Sequence, residues 1–227
     1  MDLINKDFCQ LFPDNFGTEN VSLFLYSLIK CCRPQNLLEI GAGYSTFFIA
    51  ESLKDIMNEI HTKEILSRVN GKILKGLNLD FYKQKYNPCL EVIENEEESN
   101  TSLNIIKKNL EKLDLFRFVK IYNQNIYNFT PNKEYDFIWV DFGQGDNYLH
   151  FFEKYLNFLS KNGIIVVHST LTNLWGRLFE TEIKLRISKG IYSNLELISF
   201  LEPHKPIQNS FTIIKKTDNY PIYNMSA

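Results

Sequence analysis

Short apolar runs alternate with longer amphipathic segments along most of the chain. The apolar runs predict buried strands near 36–40, 89–96, 118–126, 135–143, 163–170, 195–203 and 210–216. Apolar residues at helical spacing predict helices near 18–33, 45–60, 102–113, 147–161 and 173–190, and Asn162-Gly163 is expected to end the fourth of these. A charged, amphipathic stretch at about 61–88 is expected to be a helical insertion.

The order of these elements predicts the fold class. Strands that alternate with helices form a mostly parallel sheet with helices on both faces, which is an α/β fold. No helix separates the last two strands, so they are expected to form an antiparallel β-hairpin at one edge. We therefore predict a doubly wound, seven-stranded sheet within 36–216, preceded by a helical segment at 1–35 and followed by a tail at 217–227.

Polar residues follow the predicted strands where each strand ends. In doubly wound sheets, ligands bind beyond the carboxyl ends of the strands. The residues at these ends are Glu39, Glu94, Asn125, Asp141 and His168, and the loop 202–209 is expected at the same edge. Their convergence indicates a ligand site there.

The strongest single motif at this edge is LLEIGAGYST, residues Leu37–Thr46. Gly41 and Gly43 allow a tight turn and a close approach of the backbone to a ligand, although GxG alone fits an ordinary strand-to-helix turn equally well. Glu94 favours a ligand, because a carboxylate at the end of the second strand can accept both hydroxyls of a ribose. The alternative is that Glu94 is one of several solvated acids at a helix start.

Four stretches in order, LLEIGAGYST, VIENEEES, YDFIWVDFG and GIIVVHST, together with the closing hairpin, resemble the class I S-adenosylmethionine-dependent methyltransferases. The resemblance covers about 36–216. It implies a Rossmann-like fold, S-adenosyl-L-methionine as the cofactor and a small-molecule acceptor. It also implies that the segment 1–35 is a lid or cap over the cofactor.

The resemblance further implies a cofactor site. Glu39 and Gly41 would contact the amino-acid end of the cofactor, and Glu94 would bind its ribose. Asn125 would reach the adenine, and Asp141 would lie near the methionine moiety or the substrate. The full set of predicted cofactor-binding residues is Glu39, Gly41, Ala42, Gly43, Tyr44, Ser45, Glu94, Asn95, Asn125, Ile126 and Asp141.

Two departures from the family pattern narrow the chemistry. The fifth strand ends in His168 and Ser169, where the metal-dependent, catechol-type branch needs an acid and an Asn or Asp, so no metal site is predicted. After the fourth strand, DFGQ stands where enzymes that methylate adenine or glutamine nitrogens carry an Asn-Pro-Pro-Tyr-like tetrapeptide. Those substrates are therefore not expected.

Methyl transfer to a hydroxyl requires positioning and a base. The candidates are Asp141, His168 and His204. Histidine as a residue type titrates near neutrality, which suits His168 to this role, but a buried, hydrogen-bonded histidine at a strand end is an equally good interpretation. His204 belongs to the loop EPHKPIQN, which either contacts the substrate or forms a polar hairpin turn.

Composition and charge limit the partners and the compartment. A net charge of −2 offers no general attraction to nucleic acid. No segment approaches the ~20 apolar residues of a membrane span, and no signal peptide is apparent, so the chain is expected to be cytoplasmic and without membrane partners.

The cysteines, none in a CxxC pair, are expected to be buried thiols. A homodimer formed through the 61–88 insertion stays open.

Three functions remain in order of preference. The first is S-adenosylmethionine-dependent methyl transfer to an oxygen or nitrogen of a small-molecule acceptor. The second is a cofactor-binding, catalytically degenerate partner or scaffold protein, because VVHST lacks the acid of a VVHD ending. The third is a nicotinamide-dependent oxidoreductase, which Thr46 disfavours because it replaces the third glycine of GxGxxG.

Overall fold

The computed structural model describes residues 17–61, 85–97, 103–142 and 145–217. The helices in these ranges are α1 Glu19–Cys32, α2 Tyr44–His61, α3 Leu103–Lys112, α4 Tyr148–Leu156 and α5 Leu174–Ser188, with short 3-10 turns at Phe116–Phe118 and Gly145–Asn147. The strands are β1 Asn36–Ile40, β2 Cys89–Glu94, β3 Val119–Asn123, β4 Tyr135–Val140, β5 Leu159–His168, β6 Leu195–Leu201 and β7 Ser210–Lys216.

The strands form one sheet of seven, in the order β3-β2-β1-β4-β5-β7-β6. The pairs β1–β2, β2–β3 and β4–β5 are parallel, and β7 runs antiparallel to both β5 and β6. The predicted doubly wound, mostly parallel sheet that closes with an antiparallel hairpin is therefore confirmed. The hairpin strand β6 lies at the edge, as expected.

The chain divides into two compact units, Met1–Thr130 and Pro131–Ala227. In the first unit, α1 buries Val21, Leu25 and Ile29, which recur every four residues along one face. The helix ends where Arg33 adopts a left-handed conformation (φ 52°) and its N–H donates to the Ile29 carbonyl, one residue before Pro34. Polar contacts between α1 and α2 include a hydrogen bond from the Tyr26 hydroxyl to Asp55.

The second unit has an aromatic core. Tyr135, Phe137 and Trp139 of β4 are fully buried. The rings of Phe151 and Tyr155 on α4 lie 4.4 Å apart, and both line a small apolar cavity of about 10 Å³. A cavity of this size is at the lower limit for one water molecule.

Two local predictions were wrong. The fourth helix ends at Leu156 rather than near 161, because β5 begins at Leu159 and Asn162-Gly163 lies inside that strand. Asn162 has a φ of 60°, and the β4–β5 register is irregular here, so this pair marks a bulge rather than a helix end. Cys31 and Cys32, the last two residues of α1, are exposed and not buried.

Several predictions fall outside the described residues. These are residues 1–16 of the lid segment, residues 62–84 of the 61–88 insertion, and residues 218–227 of the tail. Within the described part of the chain, no helix is long and apolar enough to cross a membrane.

Candidate active site

The glycine turn between β1 and α2 has a conformation that glycine suits. Gly41 has a φ of 92°, which side-chain-bearing residues rarely adopt. Its N–H donates to the Ile93 carbonyl of β2 at 3.0 Å. The turn is thus closed against the end of the neighbouring strand.

Glu94 is in register with this turn. β1 pairs with β2 so that Ile40 lies opposite Ile93, which places Glu94 one residue beyond the end of β1. Its side chain is buried, and the Ala42 N–H donates to its Oε2 at 2.6 Å. The acid of the second strand therefore holds the glycine turn directly, which is a contact that spacing in the sequence could not show.

A second acid ties the end of β1 to the start of α2. Glu39 is fully buried, and the Ser45 hydroxyl donates to its Oε1 at 2.5 Å. Thr46 completes the helix start, because its hydroxyl oxygen accepts the Gly43 N–H at 3.1 Å. Thr46 is the third residue of α2 and Gly43 is the cap residue, so this hydrogen bond corresponds to one of the two bonds of a capping box.

Gly43 borders open space. A Cβ placed on this residue would meet no atom within 4 Å. Nothing in the described protein therefore requires glycine at this position for packing. A ligand bound against the turn would explain why glycine, rather than a residue with a side chain, is found here.

The other predicted cofactor residues of the first unit lie at the same strand ends. Asn95 follows β2, and its side-chain oxygen accepts the Glu97 N–H at 3.4 Å. Asn125 lies two residues after β3, and its side-chain oxygen accepts the Tyr127 N–H at 2.9 Å. Ile126 is buried beside it, and the Tyr44 ring lies 4.9 Å from the Phe48 ring.

In the second unit, the structure brings Asp141 and His168 together. His168 Nδ1 lies 2.7 Å from Asp141 Oδ1, and the His168 ring lies 5.6 Å from that of Trp139. Because the carboxylate only accepts, the proton of this bond is on Nδ1. The His168 side chain is 3% exposed, and its Nε2 has no partner among the described residues, whereas the Asp141 side chain is 31% exposed.

The turn that follows β5 is anchored to β7. Ser169 adopts a φ of 59°, and its N–H donates to the Ser210 carbonyl at 2.6 Å. The Leu171 N–H donates to the Ser210 hydroxyl at 2.8 Å. This turn leads directly into Asn173, whose side-chain oxygen caps α5 by accepting the Gly176 N–H at 2.8 Å.

His204 differs from the other two catalytic candidates. Its side chain is 62% exposed and lies 3.8 Å from Glu202 of the same loop. The Glu202 N–H donates to the Asn209 carbonyl, and the Asn209 amide donates to the Lys205 carbonyl. These bonds favour the second interpretation of the loop EPHKPIQN, a polar hairpin turn.

Tyr148 is a buried residue on which the charge of Asp141 acts, and the sequence analysis did not single it out. It is the first residue of α4 and is buried. Burial raises the pKa of Tyr148 above its ordinary value, a hydrogen bond with the Asn173 side chain lowers it, and the Asp141 carboxylate raises it. A signal for it existed, since it is the first aromatic residue of the helix that follows β4.

No group of three or more His, Cys, Asp or Glu side chains that could hold a metal ion is found in ranges 17–61, 85–97, 103–142 and 145–217.

The order of the strands and the acid-held glycine turn are those expected of a class I methyltransferase. A family model described as a methyltransferase domain matches residues 38–170, which is more than half of the 227 residues. The chain belongs to this methyltransferase family, and the resemblance to the class I S-adenosylmethionine-dependent methyltransferases is confirmed. No curated protein sequence matches the chain significantly.

Solved structures share the fold. The O-methyltransferase from Bacillus cereus, in complex with S-adenosylhomocysteine, has a TM-score of 0.64 at 15% identity over 95% of this chain and 93% of that chain. TomG from Streptomyces achromogenes, an O-methyltransferase of tomaymycin synthesis in complex with S-adenosylmethionine, has a TM-score of 0.63 at 15% identity. The match covers 93% of this chain and 87% of that chain. The N-methyltransferase NodS from Bradyrhizobium japonicum WM9 has a TM-score of 0.52 at 14% identity, and the match covers 91% of this chain and 100% of that chain.

Proposed function

We propose that this protein binds S-adenosyl-L-methionine and transfers its methyl group to an oxygen or nitrogen of a small-molecule acceptor. The observation that carries the proposal is the buried Glu94 carboxylate, which holds the glycine turn at Ala42 beside the open space at Gly43. Membership of a methyltransferase family supports the reaction class.

The residues of the turn fit an adenosyl cofactor. Glu94 uses one oxygen for the Ala42 N–H, and its carboxylate retains acceptor capacity for ribose hydroxyls. Glu39 and Glu94 also bring two acids to the turn, which suits a ligand that carries a sulfonium and an ammonium group. When bound, S-adenosyl-L-methionine would supply a sulfonium methyl group, whose carbon the acceptor attacks in line while the neutral thioether leaves with the electrons of the carbon–sulfur bond.

The roles of Asp141 and His168 follow from their exposure. Asp141 is the partly exposed member of the pair, so it is assigned as the base that takes the acceptor's proton. His168 is almost fully buried, so it is assigned as a positioning residue whose Nδ1–H fixes one oxygen of Asp141. His204 is assigned no part in this pair.

The proposal is tested by following radiolabelled methyl transfer from S-adenosyl-L-methionine to a panel of small hydroxylated and amino compounds. The native chain is expected to label at least one acceptor. Asp141→Asn keeps an oxygen for the His168 N–H but loses the base, and it is expected to lower kcat by about 100-fold or more.

His168→Phe removes the hydrogen bond to Asp141 and is expected to lower kcat by a smaller factor, about tenfold. Cofactor binding without transfer to any acceptor would contradict the enzymatic proposal and support the scaffold alternative.

A further inference from the structure

Glu180 is a buried acid of the second unit that the proposed chemistry does not use. It is one of the buried residues of α5, and the exposed Lys184, one turn later, pairs with its Oε1. The same oxygen accepts a hydrogen bond from the Ser199 hydroxyl of β6 at 2.8 Å. Glu180 therefore joins the surface of the helix to the sheet beneath it.

Two threonines extend this contact into a chain of hydroxyl groups. Ser199 Oγ lies 2.8 Å from Thr212 Oγ1 of β7, and Thr212 Oγ1 lies 2.6 Å from Thr170 Oγ1. Both threonines are fully buried, and Thr170 lies two residues beyond the end of β5. The hydroxyl chain, Ser199, Thr212 and Thr170, thus connects Glu180 on α5 with the turn that follows β5.

The acid sets the direction of every bond in the hydroxyl chain. A carboxylate only accepts hydrogen bonds, so the Ser199 hydroxyl donates to Glu180. The Ser199 oxygen then accepts from Thr212, and the Thr212 oxygen accepts from Thr170. Hydrogen bonds that point the same way along a chain polarise and strengthen one another. Glu180 therefore acts on the turn through three aligned hydroxyls.

The turn at the end of the hydroxyl chain follows directly on His168. Ser169, its first residue, has a φ of 59°, a left-handed conformation that a residue with a side chain keeps only where its surroundings hold it. Thr170 comes next, and its bond to Thr212 ties the turn to β7. β7 also pairs with β5 as far as His168, which lies opposite Phe211. The backbone at His168 is therefore fixed from the side of β7.

The position of the His168 ring depends on this backbone, because the ring has few other restraints. Its Nδ1 donates to Asp141 Oδ1 at 2.7 Å, and its Nε2 has no partner among the described residues. Its other printed contact is with the Trp139 ring at 5.6 Å. Asp141 follows a different strand, β4, so a shift of the β5 end moves the ring relative to the carboxylate.

The hydroxyl chain is not needed to fill space between the sheet and α5. Thr212 and Ile214 of β7 are two residues apart, so their side chains point to the same face of the sheet, and Ile214 is fully buried. Replacing a buried polar network by apolar side chains of similar volume is often neutral for stability. Alignment, rather than stability, is the property that this network is suited to provide.

We propose that Glu180 is a positioning residue that acts, through the hydroxyl chain, on the alignment of His168 with Asp141. This inference rests on the proposed function, in which Asp141 takes the proton of the acceptor. It adds no group to the proton transfer. Glu180 and the hydroxyl chain hold the turn after β5, the turn holds His168, and His168 fixes one oxygen of Asp141.

The test compares Thr212→Val with Thr212→Ser. Valine has nearly the shape of threonine but no hydroxyl, so it breaks the hydroxyl chain at its middle link, whereas serine keeps the link. Thr212→Val is expected to lower kcat by about three- to tenfold, with KM and the affinity for S-adenosylhomocysteine within about twofold of the native values. Thr212→Ser is expected to retain most of the native kcat. A native kcat in Thr212→Val would overturn the proposal.

Ile183→Val is the control for a loss of stability alone. Ile183 is fully buried on α5 and has no polar atom in its side chain, so its substitution leaves the hydroxyl chain intact. The variant is expected to unfold at a lower urea concentration and to keep the native kcat. A fall in kcat equal to that of Thr212→Val would show that kcat follows stability, and it would overturn the proposal.

A double variant shows whether the hydroxyl chain acts through His168. In His168→Phe the hydrogen bond to Asp141 is already absent, so adding Thr212→Val is expected to lower kcat no further. If the two losses multiplied, the effects would be independent and the proposal would be overturned.

Proton NMR tests the alignment without any activity. The Nδ1–H of His168, bonded to a carboxylate at 2.7 Å, is expected to give a low-field signal that His168→Phe removes. Thr212→Val and Glu180→Ala are expected to shift or broaden this signal. Glu182→Ala, which removes the partner of Arg186 on the same helix, is the matched control and is expected to leave it unchanged.

The outcomes separate this inference from the proposed function. An unchanged signal in Glu180→Ala and Thr212→Val would overturn the positioning role, even if the native chain transfers methyl groups. A shifted signal in both variants, with no methyl transfer by the native chain, would support the alignment and contradict the proposed function alone.

Discussion

Glu94 and Gly43 lie at the same turn but respond to substitution for different reasons. Glu94 both holds the turn and is assigned to the ribose, so its removal affects structure and binding together. Gly43 has open space around its missing side chain, so a methyl group there disturbs a ligand and little else. Gly43 is therefore the residue that separates binding from folding.

Gly43→Ala is expected to leave the thermal midpoint of unfolding within a few degrees of the native value, because the added Cβ meets no atom within 4 Å. It is expected to weaken binding of S-adenosylhomocysteine by at least about tenfold, because the ligand loses close approach to the backbone. Calorimetric titration and a melting curve of the same sample measure the two effects. Unchanged affinity would show that the cofactor does not contact this turn.

Part of the site could be predicted at the residue scale. The position of Glu94 follows from strand register, because Glu94 directly follows the apolar Val92-Ile93. The different exposure of Asp141 and His168 could not be predicted, since both follow apolar strands in the sequence. The hydrogen bond between these two side chains depends on how β4 pairs with β5, not on spacing along the chain.

At the scale of elements, the helices α1, α2 and α3 and the strands β1 and β7 were predicted to within one residue, whereas the boundary between α4 and β5 was missed. The apolar runs of β1 and β7 give the observed bounds directly. The fourth helix was extended too far because Phe158 and Leu159 continue its apolar spacing and Asn-Gly is a common helix terminator. The same two residue types serve a bulge in β5, where Asn162 has a positive φ and the pairing register with β4 shifts.

Gly176 fixes the distance between α5 and the turn that precedes it. A Cβ at this residue would lie 2.7 Å from the Thr170 carbonyl oxygen and 2.9 Å from that of Ser169. Gly176→Ala is therefore expected to destabilise the protein by about 1–3 kcal/mol, despite the higher helix propensity of alanine.

Urea unfolding of Gly176→Ala measures this effect. Thr181→Ala, an exposed position on the same helix, is the control and is expected to be neutral or slightly stabilising. Equal stability of the two variants would contradict the tight packing of α5 on the turn.

Asn173 caps the N-terminus of α5. Asn173→Ala removes the acceptor for the Gly176 N–H and is expected to cost about 1 kcal/mol of stability. Asn173→Ser retains a cap and is expected to keep the native stability. Urea unfolding of the two variants measures the difference, and an equal loss of stability in both would contradict the cap.

For the whole molecule, buried tyrosines predict how stability changes in alkali. Burial raises the pKa of Tyr155 above its ordinary value of 10.0, and burial together with Asp55 raises the pKa of Tyr26. Above pH 10 the unfolded chain loses these protons and the folded chain keeps them, so stability falls as pH rises. Each such tyrosine contributes a slope of about 1.4 kcal/mol per pH unit.

Tyr155→Phe is expected to match or exceed the native stability at pH 8, because it removes a buried hydroxyl without a partner in the described part of the chain. Its unfolding free energy is expected to fall less steeply between pH 10 and 11. Urea titrations at pH 8, 10 and 11 measure the unfolding free energy of both proteins. Parallel curves for the two proteins would contradict the burial of the Tyr155 hydroxyl.

The fold of the whole chain was predictable, and its acceptor was not. Alternating apolar runs and the closing hairpin suffice for a class I methyltransferase sheet, which solved structures share at only 15% identity. The relative positions of side chains such as Asp141 and His168 arise from packing, so the acceptor could not be inferred from the sequence.

The most direct test of the central claim is calorimetric titration of the native chain, Glu94→Gln and Glu97→Gln with S-adenosyl-L-methionine, with NAD as the comparison ligand. Glu97 is an exposed acid of the same stretch and serves as the matched control. We expect the native chain and Glu97→Gln to bind S-adenosyl-L-methionine equally and not NAD, and Glu94→Gln to bind it at least about tenfold more weakly. Absence of binding to the native chain, or equal affinity in all three proteins, would contradict the account.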